Sequence, residues 1–388
     1  MITPGSTPRG EPSPGDPGDG AAPGRGRAGD PELTGDPETT GGPAAWLSGD
    51  LDLEHPPRLG GRRIAAALAS LLLVLALLGW GLPLVTGAGW AQIGRRFAEM
   101  PIWSVPLMVV LGAVALALES ATVRTAFRGS RYRDAVQGHA ASQAVGMAVP
   151  GGSMIGTVLL GYLMRRSGLG MQAIITGVIA ASLVDMALTS AGIPLLGLVA
   201  YALTPLVGPE APDLPGGLWA ALAAVAGGLV TLCLAALLMR RSVLASVVAQ
   251  ASQVLPVADP EAILRQRDAL VALLRTRAAG LLGPTVLARA VQWLALLVAI
   301  RALGIEVPLL VTLAIFALGR VLALVPLTPG GTGIAETVGA AALVALGTAG
   351  DAAATAMLLL AVATFVVPCL AGGVAAAMAM TRAPARRR

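Results

Sequence analysis

Four charged residues stand inside long apolar runs: Asp185, Arg289, Arg320 and Glu336. A carboxylate or guanidinium in such a setting costs roughly 2.5 to 3.5 kcal/mol on membrane-insertion scales, so each needs a partner or a task. Glu336 closes the stretch Thr328-Pro329-Gly330-Gly331-Thr332-Gly333-Ile334-Ala335-Glu336, in which a proline removes a backbone donor and glycines permit unusual torsions. A helix entering from residue 308 should stop near 327, and a second should start near Ile334 with Glu336 in its first turn. A chain that turns back this way would carry Arg320 past the residues following Gly333. We therefore expect either an Arg320 to Glu336 ion pair or a joint site for a polar headgroup. The new helix also offers unpaired N–H groups that favour a phosphate oxygen. Arg289, about two turns into its own run, is expected to line the same cavity, and Asp185, near mid-span, suits a proton or ion relay.

The supporting elements are those of a membrane protein. The chain has 388 residues, is 55% hydrophobic and only 13% charged, against roughly 25% in soluble domains. Its 27 basic residues are all arginine. The net charge of +5 hides an acidic start: residues 1–57 hold ten acids and three arginines, leaving the remainder strongly basic beside its apolar runs. There the charge sets orientation and attracts anionic lipid, so no nucleic-acid partner is expected. Cys233 and Cys369 lie in apolar runs without metal-type spacing, and His55 and His139 stand apart from any cysteine or carboxylate cluster. No metal, disulfide or cofactor is expected. No Ser/His/Asp arrangement or phosphate loop is present, and no enzymatic activity is predicted.

The fold class expected is all-α, a polytopic membrane helix bundle. Residues 1–57, poor in aliphatic side chains, read as a disordered acidic cytoplasmic tail. Residues 58–380 form the transmembrane domain, and 381–388 a basic cytoplasmic tail. Within the domain, Arg58, Arg62 and Arg63 precede the first run, Ile64 to Thr86, which places the N-terminus inside. Arg95 and Arg96 are the main charges against this topology. Residues 240–280, with Asp259-Pro260-Glu261 as a helix start, suit an amphipathic helix that lies on the cytoplasmic lipid surface, or else packs against the protein's own spans or binds a partner.

A shift of 179 residues places Pro150-Gly151-Gly152 on Pro329-Gly330-Gly331 and Gly168 on Gly347. It carries one unit, about 102–207, onto a second, about 281–378, each with the order span, broken hairpin, span. Arginine placement gives the two units opposite topology. Paired breaks in inverted repeats are the architecture of many secondary transporters. The residues of both breaks, Pro150, Gly151 and Gly152 with Pro329, Gly330, Gly331 and Gly333, are accordingly candidates for a substrate cavity, as lipid-exposed backbone cannot stay unpaired.

Pro329 to Glu336, followed by a small-residue helix ending at Gly347, resembles the signature of the lysylphosphatidylglycerol synthase transmembrane-region family, the flippase-like part of multiple-peptide-resistance-factor proteins. The likeness in span order covers roughly residues 60–380. It implies movement or handling of lipids such as aminoacylated phospholipids or lipid-linked sugars. The chain ends at Arg388, directly after its last span, so the aminoacyl transfer of such synthases is not expected of it. Relatives carry a carboxylate and an arginine after the first Pro-Gly element and a Glu-Arg pair before the Asp of the next span. Here Ser153 to Tyr162 is uncharged, and only Asp185 matches in Ala181-Ser182-Leu183-Val184-Asp185.

The expected function is therefore a lipid transporter or flippase-like protein in the cell membrane with both termini cytoplasmic. Membrane lipids are its partners. The alternative is a non-transporting accessory protein working with lipid- or glycan-pathway enzymes, and the third reading a membrane-embedded lipid-dependent transferase.

Overall fold

The structure is a computed structural model that describes residues 61–148, 152–204, 217–254, 260–323 and 333–381. The acidic segment 1–57, the break residues Pro150, Gly151, Pro329, Gly330 and Gly331, the loop holding Glu210 and Asp213, and the basic tail from 382 lie outside the described residues. Every regular element among the described residues is helical: α1 (Gly61–Ala76), α2 (Leu82–Thr86), α3 (Trp90–Glu99), α4 (Ser104–Ala126), α5 (Tyr132–Ala148), α6 (Gly152–Arg166), α7 (Met171–Ala187), α8 (Ile193–Leu203), α9 (Gly217–Leu238), α10 (Arg241–Val254), α11 (Pro260–Ala302), α12 (Leu309–Leu322), α13 (Ile334–Ala345), α14 (Gly350–Ala361) and α15 (Val367–Thr381). One-turn π-helical segments, Leu77–Gly81, Leu188–Gly192 and Val362–Val366, join α1 to α2, α7 to α8 and α14 to α15. The π turn before α8 ends at Gly192, and Pro194 stands in the first turn of α8.

Four of these helices are long and apolar enough to cross a membrane, and six spans result if each sharply bent pair counts as one. The all-α polytopic bundle is what the residues build. The hairpins α5–α6 and α12–α13 lie between spans, and each closes onto the next helix with the same backbone turn. Gly168 and Gly347 both have positive φ, 97° and 83°. Leu169 N–H donates to the Met164 carbonyl at 3.2 Å, and Thr348 N–H to the Leu343 carbonyl at 3.1 Å. These are two Schellman closures related by the 179-residue shift, each needing a residue without a Cβ at the left-handed position. The same shift carries the start of α7, Met171, onto the start of α14, Gly350.

Packing repeats the pattern. α4 lies against the second half of α11, α5 against α15, and α12 against α8. The last two pairings exchange roles between the units, as a two-fold relation requires. The axial pair is antiparallel: Thr125 faces Gly280, the Thr122 and Thr285 hydroxyls are 2.9 Å apart, and Glu119 reaches Arg289. As the α4 number falls, the α11 number rises. An axis that relates antiparallel equivalent helices is perpendicular to both, so helices that span a membrane place it in the membrane plane.

The repeats also begin earlier than the sequence indicates. In the first, α1–α2 is followed after an 88° bend by α3; in the second, α9 is followed after an 80° bend by α10. Each unit is therefore a bent leading span, a core helix, a hairpin and a π-interrupted span.

Of the placements open to the amphipathic connection, its buried leucines take the one against the protein's own helices. Residues from Pro260 lead into the next span as two helical segments that meet at a kink, where Arg277 leaves helical torsions (φ −129°, ψ 21°). Leu270 and Leu273 are buried in a core cluster with Phe127, Met164 and Ile174. The apolar face packs on the protein's own helices instead of on lipid, and Gln266 Nε2 donates to Thr176 Oγ1 at 2.7 Å at its edge.

Candidate functional site

Between α4, α5, α7, α11 and α12 lies a cluster of charged and amide side chains centred on Glu119. Its carboxylate is buried, with a side-chain exposure of 10%. Oε1 accepts from Arg289 Nη1 at 2.8 Å and from Gln292 Nε2 at 3.2 Å. Oε2 accepts from Gln143 Nε2 at 3.3 Å, and His139 Nε2 lies 3.3 Å from it, donating in the tautomer that carries the proton there. Helical spacing makes this possible. His139 and Gln143 stand four apart on α5, one turn above the other, and Arg289 and Gln292 three apart on α11. All four point at one carboxylate on the helix between.

Arg289 links this buried centre to a more open edge. Its Nη1 also donates to Gln292 Oε1 at 2.9 Å, and its Nη2 to Asp185 Oδ1 at 2.5 Å. Arg289 is 11% exposed and Asp185 54%. One guanidinium thus bridges a buried and an exposed carboxylate, the forked geometry that arginine offers and lysine does not. Arg289 Nε is buried without a hydrogen-bond partner.

Arg320 lies close enough to feel the charges of Arg289, Asp185, Glu119 and Glu336. It forms no ion pair among the described residues, and its Nε is buried without a partner. The expected Arg320 to Glu336 pair is not made. Glu336 Oε2 instead accepts the backbone N–H of Gly333 at 2.6 Å, capping the helix it begins. The N-cap, Gly333, has φ 86°, so the chain turns tightly enough for the third helical residue to reach back. Glu336 thus engages the Gly333 N–H at the helix start and sets its own negative charge where an anion would have to bind. The same glycine packs against Leu77 of the π segment after α1.

Of the residues singled out from sequence, Arg289, Arg320 and Asp185 come together at the cluster. Glu336 and Gly333 sit beside it as a cap. Gly152 starts α6 and is buried where the hairpin arms touch, next to the Val145 and Gly146 carbonyls. Four residues were missed: Glu119, His139, Gln143 and Gln292. His139, read as isolated, faces a carboxylate 20 positions away. Among the described residues, no three His, Cys, Asp or Glu side chains converge as metal ligands.

At the other end of the bundle, the Gly347 turn meets the leading span of the first repeat. Gly350 packs on the backbone of Thr86, and Arg96 donates from Nε to Asp351 Oδ2 at 2.8 Å. Arg96, whose charge argued against the expected topology, is therefore partly neutralised.

A bundle of long apolar helices enclosing a charge cluster drawn from both repeats defines a polytopic membrane protein with a polar interior. The Lysylphosphatidylglycerol synthase TM region family matches residues 64–372, and the chain belongs to that family. A search of curated proteins gave no match. Membership makes this a lipid-related membrane domain.

Proposed function

We propose that the protein translocates membrane lipids, holding anionic or zwitterionic headgroups at the Arg289–Arg320 cluster while the acyl chains stay in the bilayer. The observation that carries this reading is the pair of buried guanidinium Nε donors, on Arg289 and Arg320, that have no acceptor. Leaving a buried donor unmade costs about 1 to 3 kcal/mol, more for a charged group. Arg289 holds two carboxylates, Glu119 and Asp185, so together with Arg320 the four charges balance, but Arg320 has no ion-pair partner among the described residues and the site is short of an acceptor for its guanidinium. A phosphodiester oxygen supplies it, and the exposed Asp185 carboxylate faces any ammonium on the same headgroup. The inverted arrangement of the repeats supports transport, since exchanging the packing of the two halves would present the cluster to the opposite leaflet.

Orientation follows from arginine placement. The turns after α4 and α6 and the α9–α10 bend carry Arg128, Arg131, Arg133, Arg165, Arg166, Arg240 and Arg241. This end is held together by Arg166 Nη1 donating to the Ala379 carbonyl at 2.9 Å and Arg267 Nε to the Met239 carbonyl at 2.7 Å. The opposite end, near Gly347, has far fewer arginines. The positive-inside rule then sets the arginine-rich end, with both chain termini, in the cytoplasm of a cell-membrane protein. The reading assigns no bond-making step to the chain.

Reconstitution into vesicles with fluorescent phosphatidylglycerol tests it. Flipping above that of empty vesicles, lost in Arg320→Gln, is expected. Flipping equal to empty vesicles, or untouched by Arg320→Gln, overturns it and leaves an accessory role.

A further inference from the structure

The two repeats match in element order but differ in how their leading spans are seated. In one, the end of α2 is packed hard on the start of α14: a Cβ on Gly350 would run into the Thr86 carbonyl. In the other, α9 is displaced onto the π segment after α7, where Gly228 lies against the Ser190 carbonyl. The displacement leaves an open cavity of 310 Å³ between α7, α9 and α11. Its walls are apolar side chains, among them Leu183, Met186, Leu232, Ala236, Ala278 and Leu281.

Its position is specific. Leu183, Val184, Met186 and Ala187 all line the cavity and bracket Asp185, the exposed carboxylate of the charge cluster. On α11, Leu281 lines the cavity, Thr285 follows one turn on, and Arg289 one turn further along the same face. Eight helical residues span about 12 Å. Cavity and cluster therefore adjoin at Asp185 on α7, while Thr285, between Leu281 and Arg289, is buried against Thr122 of α4. A site walled by hydrocarbon does not hold water, and left empty it forfeits dispersion contacts on every wall.

From this we infer that the α7–α9–α11 cleft is an acyl-chain site: one chain of an anionic phospholipid lies in it while the headgroup of that lipid is held at Arg289 and Arg320. The occupant is chosen by this juxtaposition: guanidinium donors without acceptors stand beside a cleft whose walls are hydrocarbon, which suits a molecule with an anionic head and an apolar tail. The inference rests on the headgroup reading above. It adds that the protein grips substrate by its tail, and on the second repeat's side alone, because the corresponding seat in the other half is filled by α2.

The test uses the full chain in nanodiscs containing phosphatidylglycerol with a diazirine on one acyl chain, photolysed and mapped by peptide mass spectrometry. Labels on α7, α9 and α11 cleft residues are expected. They should fall about tenfold in Ala236→Trp and in the milder Ala278→Leu. Labelling of lipid-facing residues such as Trp80, Leu84 and Leu370, which are 80%, 84% and 67% exposed, should not change, and this also reports that the variants are folded. Labels confined to those outer residues, or cleft labels insensitive to both fillings, overturn the inference. If the cleft stays unlabelled while Arg320→Gln still abolishes flipping, the headgroup reading survives alone. If cleft labelling persists but Arg320→Gln leaves flipping intact, the tail site stands and the headgroup assignment fails.

Discussion

Glu119 and Arg289 meet at 2.8 Å across the seam between the repeats, 170 residues apart in the chain. Neither belongs to a broken hairpin. The charge centre lies on the antiparallel core helices α4 and α11, and the hairpins and flanking spans bring further groups to it.

Because this pair is buried, removing one member strands the other. Glu119→Gln or Arg289→Gln alone should destabilise the protein by about 3 to 5 kcal/mol, with a smaller loss for the double variant than the sum. A double-mutant cycle on denaturation in detergent measures this. Additive losses would show that the two side chains do not interact.

Arg320 should behave in the opposite way. With no ion-pair partner among the described residues and a buried Nε lacking an acceptor, it adds desolvation cost without direct pairing, so Arg320→Gln should leave stability unchanged or raised. Loss of lipid movement together with a retained melting temperature is the expected combination. A large fall in stability would make Arg320 a structural residue.

Glu336 caps its own helix, and a glutamine oxygen can accept the same Gly333 N–H. Glu336→Gln should therefore be mild, and Glu336→Ala should cost about 1 kcal/mol of stability. Thermal denaturation of the two variants separates them. Equal, severe losses would show that the charge itself is required.

The inverted arrangement predicts that the two Schellman turns lie on opposite faces of the membrane. Ser167→Cys should react with an impermeant thiol reagent from one side and Thr348→Cys only from the other. Reaction of both from one side would rule out the inversion.

Much of this architecture could be read from sequence. The hairpins were legible because glycines and prolines interrupt apolar runs, and the shift between the halves because Gly168 and Gly347 occupy equivalent closures. Arg289, Arg320 and Asp185 stood out because charge is rare in such runs. Glu119 did not, since it stands at the end of the apolar run from Ile102, close to Arg124. In the structure α4 continues to Ala126, which leaves Glu119 two turns inside. His139, Gln143 and Gln292 were illegible for another reason: each is ordinary alone and gains meaning from a partner on another helix. The Arg320 to Glu336 pairing failed because a local competitor, the Gly333 N–H three residues away, captures the carboxylate first. The amphipathic stretch after Pro260 stayed ambiguous because an apolar face has the same pattern whether it meets lipid or protein, and Phe127, Met164 and Ile174, distant in sequence, are what Leu270 and Leu273 pack against.

The seam between α4 and α11 also dictates an order of assembly. When α4 leaves the ribosome, Glu119 has only α5 nearby, and its countercharge is still untranslated. At roughly 5 to 20 residues per second, Arg289 follows some 10 to 30 s later. For that interval the first half carries an unmatched carboxylate, so it must be sheltered by the insertion machinery or delay its full entry into the bilayer. The two halves then become a membrane fold together, when the second supplies the charge that the first lacks.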